Sequence, residues 1–217
     1  MKKILSSIAL ACFLLTGTAT FAQGTKNAGQ DAATNEGDLI LDIGIGFGGG
    51  YYDNNSYNYN NGNGNSSSSS GLPTFSISLQ KAFWEDITIG GEIAFNTYQQ
   101  ENTWNNGNGT KAGYQKYNQN NSFFLGKGEY HFNRLIGLDP KFDLYAGAVA
   151  GLRFSGSKSQ YTDYNNNNYY STSKSNSTNF ELGAFGGFRY YFVEGMAVYA
   201  EVGWAITPFR TGLAWKF

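Results

Sequence analysis

The stretch Phe142-Asp143-Leu144-Tyr145-Ala146-Gly147-Ala148-Val149-Ala150-Gly151-Leu152-Arg153-Phe154 alternates with period two. Phe142, Leu144, Ala146, Ala148, Ala150, Leu152 and Phe154 share one face, and Asp143, Tyr145 and Arg153 share the other. Successive side chains of a β-strand point to opposite sides, so this pattern predicts a strand with one apolar and one charged face.

The pattern recurs in both directions. Upstream, the odd positions of 39–47 are apolar around Asp42. Residues 75–83 set Phe75, Ile77, Leu79 and Phe83 against Ser76, Ser78 and Gln80. Residues 87–95 set apolar positions against Glu92, and 124–132 set Phe124, Tyr130 and Phe132 against Lys127, Glu129 and His131. Downstream, 180–192 carries Glu181 and Arg189 on its polar face, 196–204 carries Glu201, and 210–217 carries Arg210 and Lys216. That makes eight predicted strands.

The connections differ in length. Glu85-Asp86 and residues 193–195 read as tight turns, and 133–141 as a medium connection. Between them lie three tracts, 52–71, 99–119 and 155–178, crowded with Asn, Ser, Tyr and Gly. Such tracts bury no core and are expected to form long, mobile polar loops. The last connection on that side, near Thr207-Pro208, is short. Short turns at one end and long loops at the other mark an outer-membrane barrel. Such a sheet must close, because lipid satisfies no open edge. The expected fold is all-β: a closed eight-stranded antiparallel up-and-down transmembrane β-barrel with long polar extracellular loops.

A soluble barrel alternates too, with its apolar face inward. Three features favour the membrane. Aromatics gather at the segment ends, with Phe83, Trp84, Phe132, Phe192, Trp215 and Phe217 on the short-turn side and Tyr51, Phe95 and Phe154 on the other. The only charge on an apolar face is Lys81, near a strand end, from which its side chain reaches the interface. The opposite face carries charges of both signs.

Composition agrees. The 217 residues are 17% aromatic and 14% charged, with 29 Gly and a net charge of −1. The near-neutral charge argues against a nucleic-acid partner. One Cys and one His exclude a Cys/His zinc site and a disulfide framework. Residues 1–22 read as a secretory signal peptide. Lys2 and Lys3 form the positive region, an apolar run follows, and cleavage is expected between Ala22 and Gln23. Residues 23–36 are then a short periplasmic lead, and 37–217 the barrel.

An eight-stranded barrel is filled by its own side chains. Asp42, Glu92, Lys127, Glu129, Arg153, Glu181, Arg189, Glu201, Arg210 and Lys216 are therefore expected to form a structural ion network inside it. Buried charges must be paired. Counting strand height couples Glu92 with Lys127, Arg153 with Glu181, and Arg189 with Glu201, each on adjacent strands. His131 falls beside a short turn at the periplasmic end, far from where lipid-acyl chemistry needs a base, and reads as an inward or rim residue. Glu85-Asp86 reads as a turn, not a catalytic carboxylate pair. No catalytic, cofactor-binding or metal-ligating set emerges.

Asp143-Leu144-Tyr145-Ala146-Gly147, Ala197-Val198-Tyr199-Ala200-Glu201-Val202-Gly203 and the terminal Gly212-Leu213-Ala214-Trp215-Lys216-Phe217 carry a resemblance. Over 37–217 the chain resembles the small outer-membrane β-barrel proteins of Bacteroidetes, the porin-like or OmpA/OmpX-like barrels. The resemblance implies a Gram-negative outer membrane with both termini periplasmic and outer-membrane lipid as surroundings. It also implies recognition of the strand ending in Phe217 by barrel-assembly machinery. A monomer without enzymatic activity is expected. Its role is structural or one of surface interaction, the Tyr/Asn-rich loops meeting an extracellular partner. A narrow pore for ions or small solutes is the alternative, and a lipid-modifying enzyme a remote one.

Overall fold

The computed structural model describes residues 34–48, 66–106, 110–164, 169–204 and 206–217. The expected signal peptide, the Ala22/Gln23 cleavage point, most of the lead 23–36 and part of the first polar tract lie outside these residues. Eight strands follow in order: β1 (Leu39–Phe47), β2 (Ser66–Trp84), β3 (Ile87–Asn105), β4 (Lys111–His131), β5 (Phe142–Asp163), β6 (Tyr169–Val193), β7 (Met196–Gly203) and β8 (Phe209–Lys216). A single helical turn, α1 (Asn133–Ile136), sits between β4 and β5. Each strand pairs antiparallel with the next, and β8 pairs with β1 to close the ring.

The alternation read from the sequence sorts inside from outside on every strand. In β1, Ile40, Asp42, Gly44 and Gly46 are buried, while Ile43, Ile45 and Phe47 are exposed. In β5, Asp143, Tyr145 and Val149 are buried, while Leu144, Leu152 and Phe154 are exposed. The normal arrangement is thus largely inverted: most apolar side chains form an outward belt, and the ring is filled by charges beside a smaller apolar cluster that includes Phe123, Leu125, Val149 and Phe185. The belt reaches from Phe83, Trp84, Phe142 and Phe192 at the short-turn end to Phe47, Phe75, Phe95, Phe154 and Phe180 at the other.

The polar tracts depart from expectation. Residues 99–105, 111–119, 155–163 and 169–178 are paired strand, not loop. The β3–β4 register runs on to Asn105↔Lys111, and the β5–β6 register to Asp163↔Tyr169. Residues 66–71, at the end of the first tract, also pair, with β3. Asn, Ser and Tyr close no core, but the backbone ladder needs none. Once two strands leave the ring in register, each added residue pairs with a partner already in place, and the ladder satisfies its N–H and C=O groups. The strands are therefore unequal. β1, β7 and β8 have 9, 8 and 8 residues, whereas β5 has 22 and β6 has 25. Only about 9–11 residues cross a bilayer, so β2 to β6 rise beyond the ring as a five-stranded sheet. From Tyr169 to Gly183, β6 has no strand on its second side among the described residues.

The short-turn end is tied together by polar contacts. Asn133 accepts a hydrogen bond from the Leu144 amide at 3.0 Å and donates to the Phe142 carbonyl. Gly137 ends α1 in the left-handed region (φ 66°), which glycine adopts at little cost. Glu85 and Asp86, in the β2–β3 turn, both bind Arg134.

Candidate functional site in the barrel lumen

Strand tilt aims inward side chains from all sides at one axis, and a ring of eight leaves no aqueous bore between them. Arg189, on β6, is wholly buried near that axis. Its guanidinium reaches Asp42 (3.0 Å, from β1), Glu129 (3.0 Å, from β4) and Asp143 (3.1 Å, from β5). The group lies 4.0 Å from the ring centre of Tyr145, which supports its flat face. Tyr145 in turn donates its hydroxyl to Glu201 at 3.0 Å.

Lys127 forms the second centre. Its ammonium lies 3.0 Å from both Glu129 and Glu201, and 3.7 Å from Asp42. Carboxylate oxygens of Asp42, Glu129 and Glu201 converge to within 4.8 Å of one another, a spacing that would suit a metal ion. The Lys127 ammonium is already among them, so cation and ligands both come from the chain. Arg210 completes the network, binding Glu92 and standing 2.5 Å from Glu201. Phe185 lies beneath both cations, 4.8 Å from the Lys127 ammonium and 5.6 Å from the Arg210 guanidinium.

Neutral side chains add hydrogen bonds to oxygens the cations already hold, while the buried Asp42 Oδ1 and Glu92 Oε2 accept none among the described residues. Ser78 donates to Asp42 at 3.0 Å and Gln80 donates to Glu129 at 3.0 Å. Thr88 donates to Gln80 at 3.1 Å. A cavity of about 10 Å³ remains beside Glu201 and Arg210, walled by Val149, Phe185, Trp204 and Ile206. That is room for roughly one water.

Of the ten residues expected inside, Asp42, Glu92, Lys127, Glu129, Arg189, Glu201 and Arg210 share this single network. Arg153 and Glu181 meet each other nearer the raised sheet, Nε to Oε1 2.7 Å, each partly accessible. Lys216 lies 4.8 Å from the ring centre of Tyr191.

Of the expected couples, Glu92 with Lys127 stands as a long ion pair, and Arg189 with Glu201 is corrected. The β3–β4 register sets Glu92 opposite Leu125 and Lys127 opposite Gly90. With that offset Glu92 and Lys127 still pair, at 3.9 Å, but the closer partner of Glu92 is Arg210, on β8. On β6 and β7, Arg189 faces Tyr199 and Glu201 faces Gly187. Arg189 is held by Asp42, Glu129 and Asp143 instead. Shear offsets neighbours along the axis, while the narrow bore brings opposite walls together.

Two further members of the network stand outside the ten expected residues. Asp143, on the inner face of β5, binds Arg189. His131 takes the inward of its two expected positions and is buried. Its Nδ1 is 2.8 Å from Asp143, and its Nε2 is 3.2 Å from Thr88. The signal was available: His131, Asp143 and Arg189 are polar residues on inward positions of three successive strands, close to the short turns.

No protein-family model and no curated protein matches the sequence. Among solved structures, the chain is similar to the N-terminal β-barrel domain of Pseudomonas aeruginosa OprF, at 10% identity and a TM-score of 0.38, over 85% of this chain and 100% of that one. It is similar to Ail, the attachment invasion locus protein of Yersinia pestis, solved in complex with the heparin analogue sucrose octasulfate, at 11% identity and a TM-score of 0.42, over 84% and 99%. It is also similar to the outer membrane protein OprG from Pseudomonas aeruginosa, at 12% identity and a TM-score of 0.43, over 86% and 99%. The fold assignment rests on the hydrogen-bonded ring of this chain itself.

Proposed function

We propose that the protein is an integral outer-membrane barrel of a Gram-negative cell, with both termini on the periplasmic side. Its lumen is a structural plug, and it works by surface contact through the sheet that β2 to β6 raise above the membrane. The observation that carries this reading is the inversion of polarity: an exposed apolar belt surrounds a buried charge network. Water on the outside would leave that belt unpaid for, whereas lipid satisfies it. The orientation follows from the short turns, because barrels of this kind keep their turns periplasmic and their long excursions outside. A role in contact is supported by the long paired sheet, and the buried His131, held by Asp143 and Thr88, offers no exposed base.

The test is location and folded state. The protein is expected to fractionate with outer membrane and to migrate differently on gels when unheated, because closed barrels resist detergent. Recovery as a soluble periplasmic protein without detergent would overturn the reading.

A further inference from the structure

On the outer face of the raised sheet, the register of β5 with β6 sets Lys158 directly opposite Lys174. Like charges so placed destabilise a sheet. Among the described residues neither lysine has a carboxylate within ion-pair distance. Lys116, the nearby cation of β4, is taken by Glu101 at 2.7 Å. Four positions further along the same ladder and on the same face stands an oriented hydroxyl. Tyr170 accepts hydrogen bonds at its phenol oxygen from Thr172 (2.8 Å) and Gln160 (2.9 Å), so its own proton points elsewhere. Those two hydrogen bonds, with a smaller contribution from Lys158, hold its hydroxyl below the usual phenol range and make it a better donor. Two unpaired cations and a ready O–H donor on one face are the chemistry of a phosphate site.

The height selects the source. The β5–β6 register is unbroken, so this face is continuous with the apolar belt. The belt ends at Phe154 and Phe180. Lys158 is four residues beyond Phe154, which on a tilted strand is about 10 Å above the hydrocarbon edge. Tyr170 lies higher, at the level of sugars and phosphates in a thick glycolipid headgroup.

We propose that Lys158, Lys174 and Tyr170 form a binding site for the headgroup phosphates of an outer-leaflet glycolipid. The lipid phosphate relieves the lysine repulsion and moors the raised sheet to the membrane surface. This inference rests on the membrane reading above.

The test uses the mature chain folded into phosphatidylcholine vesicles, with or without bis-phosphorylated lipid A. Lipid retained per protein is measured after detergent extraction. Wild type is expected to retain lipid A, and Lys158→Gln with Lys174→Gln to weaken the affinity by roughly 10- to 30-fold, two basic side chains being lost. Lys174→Glu is expected to abolish retention although it removes the repulsion, which separates binding from a mere edge-guarding role. Equal retention by any of these variants overturns the proposal. So does equal retention of dephosphorylated lipid A, or full displacement by millimolar inorganic phosphate. Failure to insert into phosphatidylcholine vesicles at all would instead sink the membrane reading, because insertion requires neither lysine.

Discussion

Lys127 on β4 and Glu201 on β7 meet inside the barrel, Nζ to Oε1 3.0 Å, although 74 residues of sequence separate them. The contact joins walls with two strands between them, and Glu129 and Asp42 share the same ammonium. Lys127→Met keeps the volume but leaves Glu201 and Glu129 short of a cation. A loss on the order of 3–5 kcal/mol is expected, read as the urea midpoint of the protein folded in vesicles. A loss below about 1 kcal/mol would show that water reaches the site, and would count against a plug.

Glu92 distinguishes the observed network from pairing between neighbouring strands. Its close partner is Arg210, and Lys127 is 3.9 Å away. Double-mutant cycles should give the larger coupling for Glu92→Gln with Arg210→Met, and a smaller one for Glu92→Gln with Lys127→Met. The reverse order would mean that the strand register differs from the one described.

Gly187 lies under Tyr145, and a methyl group there would come within 2.4 Å of the ring. The ring cannot withdraw, because it is clamped between Arg189 and Glu201. Gly187→Ala is expected to cost about 1–3 kcal/mol. Gly126→Ala is the control, since its methyl group meets nothing nearer than 3.6 Å. It should change stability by no more than about 0.5 kcal/mol.

The raised sheet should resist proteases along its paired length. Lys116, Lys158 and Lys174 all sit in the ladders of β4 to β6. Trypsin applied to intact cells is expected to leave these three bonds uncut at doses that digest unfolded protein, because cleavage requires the strand to leave its ladder. Rapid cutting at these sites, mapped by mass spectrometry, would restore the loop reading of 99–119 and 155–178.

A lumen closed by Arg189, Lys127 and their carboxylates should pass no sustained current. Planar-bilayer recordings of wild type are expected to be silent. Steady ohmic steps whose ion selectivity shifts with Glu92→Gln would replace the plug with a narrow pore.

The sequence by itself determined the architecture and the sidedness of each strand. A two-residue period is a local property, so Phe142 to Phe154 announces its inner and outer faces whatever its neighbours are. Reading the same parity eight times, between turns such as Glu85-Asp86, was enough for the ring and for the residues that line it. Two things required the tertiary structure. One was the pairing inside. Glu92 belongs with Arg210 because the ring brings β3 and β8 within reach across the lumen, and strand shear sets that meeting without any trace in local spacing. The other was the fate of the polar tracts. Asn and Ser favour turns while Tyr favours strand, and residues 111–119 become strand only because β3 and β5 are there to pair with their backbone.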